Sequence, residues 1–571
     1  MKDGDAPVGR TYHQQEGSNL MVTQETTTRD IEAERAAIEL VISGRTLCSE
    51  LARTAARHGD LDAMKWKVDG EWRSLTFRQY RDHVREAALG LGSLGFEPGS
   101  CGLVLTGNRQ EHVLACQGMV HARGIPVGVY EAIAPAQLAY IANHSEATVA
   151  VVDADRLEMV LELRPQLPHL RHVVVCGASG KADPGGSVIG WDDLLSLGRA
   201  AHERDPFAFE TAALGVAADD VASIIYTSGT TGPPKGVVLT HRFVLCWVAA
   251  MNMRSAVLPG DRIVSYLPLA HCTSQWLTQW QSTVCATTTH FCADPSQLVA
   301  TLREVRPTCL LGVPRVWDKL RAALPAGAGV DAIGLDQCRI PIICAAPYPA
   351  ELIEFFHRLG LPLSDGWGMT EVGFGTWNGL DQIKAGTIGF PLPGMEARLG
   401  EDSELLVRGL SMMSGYHKDT IRTAETIDAD GWLHTGDLAQ VDADGYYRIV
   451  GRKKELIITT GGKNISPVNI ESMLQEQPLI GQCCVIGDGR DNLTALIVLE
   501  PNLAARPDAA EEVARHVAIV NERLSAAEQI VAFTIMTAEW TVAGEELTPT
   551  LKIRRAMIEQ KYAETIQAMY A

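Results

Sequence analysis

The chain has 571 residues, of which 21% are charged and 46% are hydrophobic, a composition typical of folded globular proteins. Its length excludes a lone binding module, and its composition excludes a disordered or collagen-like chain. The formal net charge of -19 argues against nucleic acid as the main partner, because an acidic surface repels phosphate backbones.

The thirteen cysteines are scattered along the chain and include no C-x-x-C pair. This pattern argues against a disulfide framework and a zinc site, and it favours a reducing, cytoplasmic location. The N-terminus lacks the apolar segment of a signal peptide, and no run of about 18 apolar residues is present, so we expect no transmembrane segment. Peripheral membrane contact stays open. So does the oligomeric state, with a homodimer among the alternatives.

The first 45 residues are predicted to form a mobile polar tail followed by a short helix before Gly44. Residues 76–95 carry apolar side chains at helical spacing behind a Thr76/Gln79 capping box, which predicts a surface helix. Apolar runs then alternate with helical stretches as far as residue 176. This order indicates an α/β fold with a largely parallel sheet covered by helices.

The sequence after about residue 455 has a different character. Short strands (KELIITT, CCVIGD and LTALIVLE) alternate with helices predicted at 467–477 and 508–530, which indicates a small α+β unit. A boundary is predicted in the charged stretch Gly451–Lys454. We therefore divide the chain into a large domain (46–451) and a small domain (452–571).

The most informative stretch is Tyr226–Gly236, which reads YTSGTTGPPKG and follows a predicted strand. Its glycines and hydroxyl side chains offer N–H and O–H groups that can surround phosphate oxygens, and Lys235 adds a positive charge. Two prolines between Gly232 and Lys235 break the spacing of a Walker A loop. The stretch is interpreted as a polyphosphate cradle, with a plain surface loop as the alternative.

Seven motifs occur in a characteristic order, and with them residues 46–571 resemble the adenylate-forming superfamily. This superfamily includes acyl-CoA synthetases, firefly luciferase and nonribosomal peptide adenylation domains. The resemblance implies a large N-terminal domain of mostly parallel sheets wrapped by helices, with a small mobile α+β C-terminal domain. The motifs are YTSGTTGPPKG (226–236), LPLAH (267–271), GVPRVWDKL (312–320), WGMTE (367–371), GWLHTGD (431–437), GRKKELIITTGGKNISP (451–467) and TPTLKIRR (548–555).

The resemblance implies a two-step reaction that uses ATP, Mg²⁺ and coenzyme A. A carboxylate attacks the α-phosphate to give acyl-AMP and pyrophosphate, and a thiol then displaces AMP. Lys552 matches the family lysine that reaches the carboxylate and the α-phosphate, and Thr370 is placed to donate to that phosphate. Glu371, with Thr227, is expected to hold Mg²⁺. His271 matches a histidine beside the acyl pocket and thiol tunnel.

The resemblance also implies a nucleotide site. Asp437 is expected to accept both ribose hydroxyls with Arg452 beside it, and Trp367 to offer an aromatic face to adenine where the family usually has tyrosine. The full set is Thr227, Ser228, Gly229, Thr230, Thr231, Gly232, Lys235, Ala345, Ala346, Pro347, Asp365, Gly366, Trp367, Gly368, Met369, Asp437 and Arg452.

Three further roles follow from the same resemblance. Trp276, Trp280 and Cys344 are expected at the acyl pocket, although a core stripe is an equal reading for the two tryptophans, which lie four apart on a predicted helix. Lys454 matches the hinge of the small domain. The coenzyme A channel is expected beside Gly461, Gly462 and Lys463.

Two departures leave the substrate open. Cys344 replaces the first glycine of the family's G-A-A-P loop, and a long helical insertion of long-chain bacterial members is missing. The main prediction is an acyl-CoA ligase for a hydrophobic, medium- or long-chain aliphatic acid. The alternatives are transfer of the acyl group to a carrier-protein thiol or an amine, and a non-catalytic nucleotide- or acyl-binding protein.

Overall fold

The computed structural model describes residues 29–177, 187–227, 233–346, 348–501, 503–548 and 552–571. Up to residue 227, short buried strands alternate with helices, as the sequence predicts. In chain order these are α1 (Ile31–Ile42), α2 (Leu47–His58), β1 (Asp62–Val68), β2 (Glu71–Thr76), α3 (Phe77–Ser93), β3 (Cys101–Leu105), α4 (Gln110–His121), β4 (Ile125–Gly128), α5 (Pro135–Ser145), β5 (Val149–Asp153), α6 (Leu157–Leu163), β6 (His172–Cys176), β7 (Val188–Gly190), α7 (Trp191–Arg204), α8 (Ala208–Leu214) and β8 (Val221–Thr227).

The middle of the chain supplies the rest of the large α/β part. Its elements are β9 (Lys235–Thr240), α9 (His241–Arg254), β10 (Arg262–Ser265), α10 (Cys272–Gln275), α11 (Gln281–Cys285), β11 (Thr288–Phe291), α12 (Leu298–Val305), β12 (Cys309–Gly312), α13 (Pro314–Ala322), β13 (Ile340–Cys344), α14 (Ala350–Arg358), β14 (Ser364–Met369), β15 (Gly373–Trp377), β16 (Phe390–Pro391), β17 (Met395–Leu399), β18 (Glu404–Gly409), β19 (Gly415–Tyr416), α15 (Thr420–Thr426), β20 (Leu433–Val441) and β21 (Tyr447–Arg452).

Two large, mostly parallel sheets form the centre of this part. One has the strand order β19-β9-β8-β4-β3-β5-β6-β7, and the other has the order β16-β15-β14-β13-β12-β10-β11-β1-β2. The central strands are continuous buried apolar runs such as VAVV in β5 and HVVVC in β6, because helices cover both faces of a parallel sheet. A third, antiparallel sheet has the order β17-β18-β20-β21.

The C-terminal part is a separate, smaller arrangement with its own three-stranded sheet, β24-β25-β26. The predicted α/β class, with a large parallel-sheet part and a smaller α+β part, is therefore confirmed. The C-terminal elements are β22 (Ile457–Ile458), β23 (Asn464–Ile465), α16 (Pro467–Leu474), β24 (Ile480–Ile486), β25 (Leu493–Leu499), α17 (Ala509–Glu522), β26 (Ile530–Met536), α18 (Arg555–Lys561) and α19 (Ala563–Met569).

One predicted helix in this part is too long. Instead of reaching residue 530, α17 ends at Glu522, and Ile530 begins strand β26. The Asn521 side chain accepts from the backbone N–H of Ile530 at 2.9 Å and donates to its carbonyl oxygen at 2.9 Å. These two bonds fix the start of the strand beside the end of the helix.

The N-terminal helix α1 packs onto the large part. Ile38 and Ile42 are buried, and Arg35 forms an ion pair with Glu396 on β17 at 2.7 Å. Glu39 pairs with Arg242 on α9. The predicted short helix is thus present, and the predicted tail before it lies outside the described residues. Among the helices of the described ranges, none combines the length and apolar character needed to cross a membrane.

Candidate functional site

The phosphate-loop candidate joins two antiparallel strands at the edge of a large sheet. Strands β8 and β9 form a hairpin in which Thr227 pairs with Lys235. The predicted phosphate-binding residues Ser228, Gly229, Thr230, Thr231 and Gly232 lie outside the described residues. The pairing of Thr227 with Lys235 therefore sets where the two ends of the loop lie.

Lys235 and Glu371 share one neighbour, Tyr416. The Tyr416 hydroxyl donates to Glu371 Oε1 at 2.8 Å, and Lys235 Nζ lies 4.8 Å from the centre of the Tyr416 ring. Burial lowers the pKa of Lys235, and the nearby Glu371 carboxylate opposes that shift. Tyr416 lies here because β19 pairs with β9, with Tyr416 opposite Val237. No local pattern in the sequence indicates this tyrosine.

Asp437 accepts two hydrogen bonds in the partly buried region between β14 and β21. Trp367 Nε1 donates to its Oδ2 at 2.8 Å, and Arg452 Nε donates to its Oδ1 at 2.7 Å. Burial opposes the charged guanidinium, but the Asp437 carboxylate outweighs it, so the pKa of Arg452 lies above its ordinary value. The three residues predicted to surround adenine and ribose are therefore in direct contact.

Asp365 lies on β14, two residues before Trp367. Burial raises its pKa to about 7, and a hydrogen bond from the Tyr348 hydroxyl opposes that rise. Tyr348 is a second residue that the sequence reading missed. A carboxyl with this pKa gains and loses its proton near neutral pH.

Close packing explains the small residues of the same strand. A Cβ atom on Gly368 would lie 2.0 Å from the carbonyl oxygen of Gly373, and one on Gly366 would lie 2.9 Å from the Phe374 ring. Met369, which follows them, is half-buried. The glycines let β14 and β15 approach each other directly beside Trp367.

The loop after β13 is exposed and has an unusual backbone. Ala345 has a φ of +77°, a conformation that favours glycine. Ala345 and Ala346 are exposed, and Pro347 lies outside the described residues. Positive φ values of this kind in non-glycine residues are often found at ligand sites.

His271 caps the N-terminus of α10. Its Nδ1 accepts from the backbone N–H of Thr273 at 3.3 Å and lies 2.7 Å from Thr273 Oγ1, so the ring proton is on Nε2. Burial, and then the charge of Lys552, lower its pKa to about 4, and the imidazole is neutral at physiological pH. Burial raises the pKa of the neighbouring Cys272 to about 12, and the side chain of the buried Thr370 opposes that rise.

Lys552 lies near residues of the large part. Its ammonium interacts electrostatically with Arg452, Asp437 and Cys344, and it also acts on His271. Lys552 is an exposed residue, yet the surrounding protein desolvates its ammonium. This burial and the Arg452 charge lower the pKa of Lys552, and Asp437 opposes them. The structure thus brings the predicted lysine beside the predicted ribose residues.

Two hydrogen bonds join Thr548 and Lys552. The Thr548 N–H donates to the Lys552 carbonyl oxygen at 2.8 Å, and the Lys552 N–H donates to Thr548 Oγ1 at 3.0 Å. Leu547 and Ile553 form a bridge directly behind this pair. The residues between Thr548 and Lys552 lie outside the described ranges.

The predicted acyl-pocket residues are buried in an aromatic cluster. The indole of Trp247 stacks on Trp276 at 5.4 Å and meets Trp280 edge-on at 6.1 Å. Trp276–Trp280 is a π-helical turn and not the α-helix predicted, with the Gln281 N–H donating to the Trp276 carbonyl oxygen. Cys344 is buried at the end of β13. A small cavity beside this cluster is lined by residues that include Met251, Trp276, Leu277, Gln281, Cys309 and Trp377.

The predicted hinge and thiol-channel residues are exposed. Lys454 lies in the 3₁₀ turn Lys453–Glu455 that follows β21. Gly461, Gly462 and Lys463 form the turn between β22 and β23, in which Gly462 has a φ of +72°.

Two family profiles match the chain. The profile of the AMP-binding enzyme family matches residues 51–417, and the profile of the AMP-binding enzyme C-terminal domain matches residues 454–571. The chain is 32% identical to the long-chain-fatty-acid–CoA ligase FadD15 of Mycobacterium bovis, over 88% of this chain and 93% of the relative. It is 30% identical to the long-chain-fatty-acid–CoA ligase ACSBG1 of Bos taurus, over 92% of this chain and 85% of the relative.

Solved structures share the same fold. The A domain of the carboxylic acid reductase from Segniliparus rugosus, solved with AMP and a co-purified carboxylic acid, superposes with a TM-score of 0.78 at 19% identity over 95% of this chain and 99% of that chain. The anthranilate CoA ligase AuaEII, solved with anthranoyl-AMP, gives 0.74 at 23% identity over 92% of this chain and 98% of that chain.

Proposed function

This chain belongs to the AMP-binding enzyme family, and from that premise we propose that it is an AMP-forming acyl-CoA ligase for a hydrophobic carboxylic acid. The carboxylate of the acid attacks the α-phosphate of ATP, and pyrophosphate leaves. The thiol of coenzyme A then attacks the acyl carbon, and AMP leaves. The names of the long-chain-fatty-acid–CoA ligases among its relatives support this acceptor and an aliphatic acid.

The observation that carries the proposal is that the Lys552 ammonium lies within electrostatic range of Asp437 and His271. Both half-reactions move negative charge, so the site needs a cation where the carboxylate meets the α-phosphate. A lysine on an exposed turn can supply that charge and hold two anions together. Desolvation of the ammonium by the surrounding protein, followed by the charge of Arg452, lowers the pKa of Lys552.

The remaining nucleotide residues divide by chemistry. Asp437 and Arg452 face the ribose, Asp365 and Trp367 face the base, and Thr227 and Lys235 face the outer phosphates. The other residues predicted for the loop 226–236 and for strand β14 complete the proposed nucleotide-binding set.

Glu371 and Thr227 would hold Mg²⁺. A hard cation that keeps phosphate oxygens and water as ligands needs only one or two protein oxygens, and Glu371 offers a carboxylate whose other contact is the neutral Tyr416 hydroxyl. When bound, the ion neutralises charge on the phosphates. Glu371 orients toward that position through Tyr416, and Thr370 donates to the α-phosphate.

The second half-reaction uses a different set of residues. We place the thiol channel beside His271, Gly461, Gly462 and Lys463, and the turn of the small domain at Lys454. The neutral His271 ring carries its proton on Nε2, so it can donate a hydrogen bond without adding charge to the channel. All thirteen cysteines are unpaired thiols, which supports a reducing compartment.

The acid is placed on the aromatic side of the site. Trp276, Trp280 and Cys344 are buried among apolar neighbours, and an apolar wall favours a hydrophobic acyl group. The small cavity beside Trp276 lies on the side of the site where we propose the acyl pocket.

The test is acid-dependent exchange of pyrophosphate into ATP across a panel of carboxylic acids, followed by product analysis with and without coenzyme A. Lys552→Ala should abolish exchange and leave the fold intact, because the side chain lies on an exposed turn. Arg515→Ala removes a positive charge from an exposed position of α17 in the same part of the chain and should keep the exchange activity. If no acid stimulates exchange in the wild-type protein, the proposal is wrong. If coenzyme A does not change the product, the acceptor is wrong.

A further inference from the structure

Trp367 and Asp437, two residues of the candidate nucleotide site, are joined by a side-chain hydrogen bond. The indole N–H donates to Asp437 Oδ2 at 2.8 Å, and both side chains are buried. The six-membered ring of the indole also packs closely against Gly375 on β15, since a Cβ atom on that glycine would come within 2.6 Å of Trp367 Cζ3. Its ring therefore has little freedom to turn away from the carboxylate.

The number of hydrogen bonds that the Asp437 carboxylate can accept links this contact to ribose binding. An ionised carboxylate has about four lone-pair positions, two on each oxygen. Arg452 Nε uses one on Oδ1, and Trp367 Nε1 uses one on Oδ2. Among the described residues no other donor lies within hydrogen-bond distance of these two oxygens, so one position remains on each, and this number equals the two hydroxyl donors of a ribose ring.

We propose that Trp367 is a positioning residue for ribose recognition, holding the Asp437 carboxylate through its indole N–H so that each oxygen keeps one lone pair for a ribose hydroxyl. This inference rests on the proposed function, in which Asp437 faces the ribose. It goes further because the selectivity for the two hydroxyls is assigned to a second side chain that does not itself contact them.

A single donor does not fix the orientation of the Asp437 carboxylate. With Arg452 alone, the carboxylate is anchored at Oδ1 and can rotate about its Cβ–Cγ bond, because that terminal torsion is broad. The second anchor at Oδ2 removes this freedom before the nucleotide arrives. Order that is already present in the free protein does not have to be produced by binding, so the affinity for ribose rises.

The experiment measures nucleotide binding directly, by calorimetry with Mg²⁺ and without the carboxylic acid. The dissociation constants of ATP and 2′,3′-dideoxy-ATP are compared, and their ratio reports how strongly the two hydroxyls are recognised. In Trp367→Phe this ratio should fall about tenfold, equivalent to ~1.4 kcal/mol, because ATP loses more affinity than the dideoxy nucleotide, while the altered contact with the base is common to both nucleotides and cancels in the ratio. The same fall is expected when Trp367 is replaced by β-(3-benzothienyl)alanine, which keeps the two-ring outline and lacks the N–H.

Trp377 offers a matched control in the same hairpin. It is fully buried on β15 opposite Gly366, and in the described part of the chain its indole N–H has no hydrogen-bond partner. Trp377→Phe should therefore leave the ATP to dideoxy-ATP ratio unchanged, even if the melting temperature falls.

Three results would overturn the inference. The first is an unchanged ratio in the benzothienylalanine protein, which keeps the packing if Trp367→Phe fails to fold. The second is an equal loss of affinity for both nucleotides, which would mean packing alone. The third is a fall of the ratio in Trp377→Phe. A wild-type protein that binds no ATP would instead refute the proposed function.

Discussion

The buried carboxyl group of Asp365 should make the stability of this protein depend on pH in an unusual direction. Burial raises its pKa from 3.8 to about 7, although the Tyr348 hydroxyl donates to it. Replacing it as Asp365→Asn removes the titration and keeps an oxygen that can accept from Tyr348. The amide adds a constant cost at every pH, so the informative quantity is the slope of stability against pH.

The sign follows from proton binding. The folded protein binds this proton more tightly than the unfolded chain, so the contribution is complete below about pH 3.8 and is lost as pH rises to about 7. Each pH unit in that window is worth ~1.4 kcal/mol. Between about pH 5 and about pH 7, the wild-type protein should therefore lose ~2 kcal/mol that Asp365→Asn does not lose, since the slope falls off near the folded pKa. For a chain of 571 residues this is a difference of about 2 °C in melting temperature.

The assay is thermal unfolding of both proteins at matched ionic strength from about pH 5 to about pH 8. Buried histidines such as His112 and His241, whose pKa values burial lowers to about 4, change stability in the opposite direction. They are identical in both proteins, so the difference between the two curves isolates Asp365. Parallel curves over this range would refute the reasoning.

Two further substitutions test the site. Tyr416→Phe keeps the ring beside Lys235 and removes the hydroxyl that donates to Glu371, so the half-saturating Mg²⁺ concentration of the exchange reaction should rise about tenfold (~1.4 kcal/mol). An unchanged Mg²⁺ dependence in a titration of exchange rate would contradict this role. Ala345→Gly should raise the free energy of unfolding by about 1 kcal/mol in urea titrations, because glycine adopts a φ of +77° without strain. A loss of stability would show that the methyl group packs favourably.

Local signals in the sequence predicted local structure well. The Thr76/Gln79 capping box is present at the start of α3, where each side chain accepts from the backbone N–H of the other residue. The buried apolar runs before residue 177 are parallel strands, because such runs are stable only when both faces are covered. In these places the preference of the segment and its tertiary environment agree.

Contacts over long sequence distances could not be predicted from local patterns. Tyr416 meets Glu371 across 45 residues, and it does so only because β19 adds to the edge of the sheet beside β9. Tyr348 reaches Asp365 from the loop after β13. A single tyrosine in a loop has no periodicity or spacing that would indicate such a partner.

The prediction of an α-helix at Trp276 was wrong for a different reason. A spacing of four places two side chains on one face of an α-helix, and the sequence reading relied on it. The backbone instead forms an i to i+5 bond from Trp276 to Gln281, and both indoles of the turn contact Trp247. Such single π turns often occur at functional sites, and packing against a distant ring cannot be read from the spacing.

The unpaired thiols have a practical consequence for spectroscopy. Twelve of the thirteen cysteines are buried, and the thirteenth, Cys285, is only partly accessible. Burial raises the pKa of Cys285 to about 11, so its reactive thiolate is scarce at neutral pH. The native protein should therefore resist maleimide reagents. One cysteine introduced on each side of Lys454 could then carry a fluorophore pair, and a change in energy transfer between the dyes during turnover would test the proposed hinge at Lys454.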